Sequence, residues 1–65
     1  MKNDMTPTEL TTATDDKLLA LFAIEQKRHG LNGSAFRVRL SAELRARGWG
    51  GNMLCREIEA RVRAL

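Results

Sequence analysis

Arg37, Ser41 and Arg45 recur at every fourth residue, so on a helix they form one polar stripe. Two guanidinium groups placed in this way can grip the oxygens of a phosphate or a carboxylate in a bidentate manner. Most of the other arginines have an acid within reach along the chain. Arg39, Glu43 and Arg47 are spaced i, i+4, i+8, while Glu57 with Arg61 and Glu59 with Arg63 are spaced i, i+4. Such pairs are ordinary helix support. Arg28, Arg37, Arg45 and Arg56 have no acid at that spacing. The stripe is therefore the best candidate for contacting an anion, against the plainer reading of a solvated face in an arginine-rich chain.

Residues that could do covalent or acid–base chemistry are few. His29 is the sole histidine and follows Glu25 by four positions, which reads as a capping or salt-bridging side chain at a helix end. Cys55 lies at the edge of an apolar stripe and is expected to pack, buried or half-buried, as a small hydrophobe. Asp15 and Asp16 are adjacent and point apart on a helix, so they read as first-turn charge rather than a catalytic pair. The glycines at 30, 33, 48, 50 and 51 match neither the dinucleotide fingerprint nor the P-loop. One cysteine and one histidine cannot close a structural zinc site. No nucleophile is paired with a base, so the chain is expected not to be an enzyme and to use no cofactor or metal.

The elements that must position these residues are helices. Thr14 is a cap followed by Asp15 and Asp16, and Lys27, Arg28 and His29 precede Gly30, which predicts a helix over 15–29. Leu18, Leu19, Leu21, Phe22 and Ile24 give it an apolar arc wider than a surface helix needs, so it is either the central helix or part of a dimer seam. Leu31-Asn32-Gly33 is a turn and Ser34 a candidate cap. Phe36, Leu40 and Leu44 predict a helix over 35–47 that ends at Gly48, although the alternation of Phe36, Val38 and Leu40 also fits a short strand over 36–40. Trp49-Gly50-Gly51 is a second turn. Asn52 is then the expected cap of a helix over 53–64, with Leu54, Ile58, Val62 and Leu65 on one side. Thr6-Pro7-Thr8-Glu9 has the form of a helix start, but only Leu10 follows as an anchor. The fold class is accordingly all-α: a three-helix domain over 14–65 behind a flexible arm, 1–13, that holds at most one short helical turn.

Size and charge bound the function. A chain of 65 residues with one cysteine has no disulfide to staple it, so its stability must come from helix packing or from a partner. The longest uninterrupted apolar run, Leu18 to Ile24, is far short of the ~20 residues a membrane span needs, and no apolar signal core opens the chain. No membrane association and a cytoplasmic location are expected. Residues 1–25 carry two lysines against five acids, whereas residues 26–65 carry nine cations against three acids. The basic surface thus belongs to the last two helices. Joined by a glycine turn, these resemble a helix-turn-helix in outline only: with Gly48 at the turn bulky Leu44 stands where close packing calls for a small residue, and with Gly50 there Ala46 fits but Arg56 falls at a normally buried position.

Two functions follow as expectations. The first is a small regulator that binds nucleic acid, with Arg37, Ser41, Arg45 and Arg56 on phosphates and Asn52 with Met53 near the bases. The second is a protein-interaction module acting through Leu21, Ile24 and Trp49. It would be an inhibitor or adaptor of the size and style of small phage and plasmid accessory proteins, a likeness that no motif carries. Trp49 has two readings, a plug between the last two helices or an exposed hot spot. A homodimer is expected under either function.

Overall fold

A computed structural model describes residues 6–29 and 35–65, with the side chain of His29 excepted. The described residues form helices and no strand. They are α1 (Pro7–Thr12), α2 (Asp15–His29), α3 (Ala35–Ala46) and α4 (Gly51–Ala64). The strand alternative for 36–40 is thereby removed, since that stretch is the first half of α3. Gly30, the turn 31–33 and the Ser34 cap lie outside the described residues.

The sequence dictates each start. Thr6 and Glu9 close a capping box at the head of α1: the Glu9 carboxylate accepts from the Thr6 backbone N–H at 2.7 Å, and the Thr6 hydroxyl accepts from the Glu9 N–H at 3.2 Å. The capping bond from the Thr6 backbone holds the Glu9 carboxyl below its ordinary range. The Thr14 hydroxyl accepts from the Lys17 N–H at 3.2 Å, which is the expected N-cap of α2. Helix α4 begins two residues earlier than the sequence suggests. Gly50 occupies its N-cap position without a side-chain bond, so Asn52 is an exposed first-turn residue and not the cap.

The end of α3 is a Schellman motif. The Gly48 N–H donates to the Arg45 carbonyl at 3.0 Å, and the Trp49 N–H donates to the Leu44 carbonyl at 3.1 Å. This arrangement requires a left-handed residue at Gly48, whose φ is +102°. Leu44 is fully buried and Trp49 packs against the same core, which is the hydrophobic contact that accompanies this cap.

The core joins all four helices. Leu18 and Leu19 of α2 meet Phe36, Leu40 and Leu44 of α3 and Leu54 and Ile58 of α4, with Leu10 of α1 at the margin. Helix α2 packs along both α3 and α4, so it is the central helix that its wide apolar arc allows, and α1 rests on α3. Leu10 is only 7% exposed, so the short helix expected on the N-terminal arm forms over 7–12 and rests its one apolar anchor on the core. The α4 stripe outlasts the core: Leu54 and Ile58 are buried, Val62 is half-buried and Leu65 is exposed.

Candidate functional site

Two clusters of polar contacts hold the helices in place, and both start from the head of α2. Arg47, just past the end of α3, is the hub of the first. Its guanidinium donates to Asp15 Oδ1 at 2.8 Å, to Glu43 Oε2 at 3.0 Å, and to the backbone carbonyls of Leu10 and Thr11 at 2.8 and 3.0 Å. The last two acceptors are orphan carbonyls at the end of α1, so Arg47 caps that helix from across the fold. Trp49 Nε1 donates to the other Asp15 oxygen at 3.1 Å. Arg47, and then Trp49, keep the Asp15 carboxyl below its ordinary range, and Asp15 and Glu43 push Arg47 up. In the second cluster Arg61 of α4 donates to Asp16 Oδ1 and to Glu57 Oε2, both at 2.8 Å, and its pKa is raised by those bonds.

Asp15 and Asp16 therefore do more than supply first-turn charge. They tie α2 to the α3–α4 turn and to α4, respectively. Arg47 and Arg61 are occupied in the process, and the expected Glu43–Arg47 and Glu57–Arg61 pairs form. Among the described residues no ion pair joins Glu59 to Arg63. Glu25 is a buried acid on α2, and it has a partner. Among the described residues no buried side-chain polar atom is left without a hydrogen bond.

Because α3 and α4 both lie on α2 and meet each other only weakly beyond their turn, a groove of about 530 Å³ opens between them. Phe22 and Gln26 of α2 form its floor. Arg37, Val38, Ser41 and Arg45 form the α3 wall, and Gly51, Leu54, Cys55, Ile58 and Glu59 the α4 wall. Val38 is 63% exposed and Phe22 half-exposed, so apolar surface reaches solvent within the groove. Arg37 is hydrogen-bonded to Gln26 across the α2–α3 seam.

The structure thus brings Arg37, Ser41 and Arg45 together on one wall and separates them from Asn52 and Arg56, which lie on an exposed part of α4 outside the groove. Of the residues proposed for protein contact, Leu21 and Trp49 pack against the core, with the Trp49 N–H held by Asp15. Ile24 is 38% exposed. Cys55 is exposed, not buried or half-buried as its place beside the stripe suggests, because α3 diverges and leaves that side of α4 uncovered. The groove residues that the sequence does not mark as a site are Phe22, Gln26, Val38, Gly51, Leu54, Cys55, Ile58 and Glu59. Val38 carried a signal, being an apolar residue off the Phe36–Leu40–Leu44 stripe.

Among the described residues no group of His, Cys, Asp or Glu is placed to hold a metal ion, and no helix is long and apolar enough to cross a membrane. The fold and the groove define a small all-α domain with a two-walled, partly apolar cleft. No family model matches the chain, and no curated protein or solved structure matches it at a significant level.

Proposed function

We propose that this chain is a non-enzymatic protein-interaction module, an inhibitor or adaptor, whose binding surface is the groove between α3 and α4. The observation that carries this reading is the apolar surface left open between those helices, with Val38 and Phe22 inside it. Leu54 and Ile58 of the α4 wall already belong to the core, so that wall is backed by packed side chains. Each wall spans nine residues, Arg37 to Arg45 and Gly51 to Glu59, or about 12 Å over eight helical rises. That length suits two turns of a partner helix presenting anchors at i, i+4 and i+7.

The test is capture from a nuclease-treated native lysate with the wild-type chain and with Val38→Asp. Val38 is exposed enough for the substitution to leave the fold intact, which circular dichroism checks. A retained protein that survives nuclease and is lost with Val38→Asp is the expected result. Capture that disappears with nuclease, or that ignores Val38→Asp, refutes the reading.

A second reading, a nucleic-acid-binding regulator, is favoured by a separate observation. Arg45, Arg56 and Arg63 are exposed and, among the described residues, make no ion pair. Its signature would be affinity for a mixed duplex that falls steeply with salt. A homodimer through α2 would have to form around Ile24, since Leu21 is drawn into the core.

A further inference from the structure

We infer that the occupant of the α3–α4 groove is an amphipathic helix of a partner protein whose flank facing α3 is acidic. The inference rests on the protein-interaction reading above and adds the chemistry of the partner. It is carried by charge complementarity. The α3 wall presents Arg37, Ser41 and Arg45 at helical spacing, whereas the α4 wall presents a single charge, Glu59. Arg45 is exposed and makes no ion pair within the described fold, so its guanidinium is available to a carboxylate. Arg37 is anchored by Gln26, which holds it at the rim and lowers the entropy lost when it binds.

Arg45 is the available guanidinium of the α3 wall, so it matches an acid at one end of an occupant lying along the groove. Arg37, already held by its own partners, adds positive charge about 12 Å further along the wall. The occupant's apolar face would cover Val38 and Phe22. Gly51 leaves the head of α4 bare, with nothing within 4 Å of where a Cβ would stand, so the occupant can approach the backbone there. Cys55 lines the same groove and is the sole cysteine of the chain, which makes it a built-in reporter of occupancy.

The experiment selects binders from a displayed library of helical peptides. Their i, i+4, i+7 face is fixed as leucine and their flanks are randomised among glutamate, lysine and glutamine. The full chain serves as bait. Selected peptides are then scored by their affinity and by how far they slow the reaction of the Cys55 thiol with a chromogenic disulfide. The expected outcome is enrichment of glutamate on one flank and protection of Cys55. Affinity should fall on the order of tenfold in Arg45→Glu, with the flank preference moving towards lysine.

Peptides that protect Cys55 but show no flank preference, or that bind Arg45→Glu unchanged, overturn the acidic occupant and leave the groove reading standing. If no selected peptide protects Cys55, and Gly51→Met, which narrows the groove on an unstrained backbone, changes nothing, the groove reading itself falls. A mixed DNA duplex that protects Cys55 and displaces the peptides would also overturn the inference, in favour of nucleic acid.

Discussion

Replacing Gly48 by alanine should destabilise the domain, and replacing Gly51 by alanine, three residues on, should stabilise it. The two sites are alike sterically: a Cβ built at either position meets nothing within 4 Å. They differ in backbone handedness. Gly48 has φ +102°, a region that L-residues occupy at a cost of about 1–2 kcal/mol. Gly51 opens α4, where alanine is favoured over glycine by up to about 1 kcal/mol. Unfolding entropy for a chain of this length makes each kcal/mol worth about 7 °C in Tm. Gly48→Ala should therefore melt about 7–14 °C lower than wild type, and Gly51→Ala a few degrees higher. Thermal denaturation followed by far-UV circular dichroism reads both. A synthetic chain with D-alanine at position 48, whose handedness favours positive φ, should recover the loss. Equal melting shifts for the two L-alanine variants, or no recovery with D-alanine, would refute the claim that a left-handed Schellman residue terminates α3.

Two further outcomes test the polar hub and the core. The folded state favours the charged form of Asp15, so the contribution of that carboxylate is complete above its ordinary value near 3.8 and is lost as the pH falls below it. Because Trp49 donates to the same carboxylate and is the only tryptophan, its fluorescence should change in that acid range, and Asp15→Asn should abolish the change. Leu40 is fully buried, so Leu40→Ala should cost about 2–5 kcal/mol and leave the domain largely unfolded at 37 °C, measured by urea titration.

The helices were legible because their signals are local. Thr14-Asp15-Asp16 marks the start of α2, and the Phe36–Leu40–Leu44 and Leu54–Ile58 spacings mark the buried faces of α3 and α4. The docking of α1 was not legible. Its capping box shows where a helix starts, but the fold holds its end through Arg47, 36 and 37 residues away from the two carbonyls it caps. The same distance hid the tertiary work of Asp15 and Asp16. Asn52 has the residue type of a cap, yet α4 starts before it with Gly50 at the N-cap position. Of the candidate site, the Arg37–Ser41–Arg45 stripe could be read from spacing alone. The groove beside it could not, because it depends on α3 and α4 parting after their turn.

That parting has a consequence for how the surface can change. With α2 as a common spine, the molecule resembles two hinged covers sharing one binding edge. Exposed residues at the two rims, such as Val38 and Glu59, belong to helices that meet each other only weakly, whereas residues that reach the shared floor at Phe22 are coupled through it. Such a layout lets each wall be retuned towards a new ligand without refolding its counterpart. A fold of only 65 residues thereby leaves two rims that can vary in sequence above one shared core.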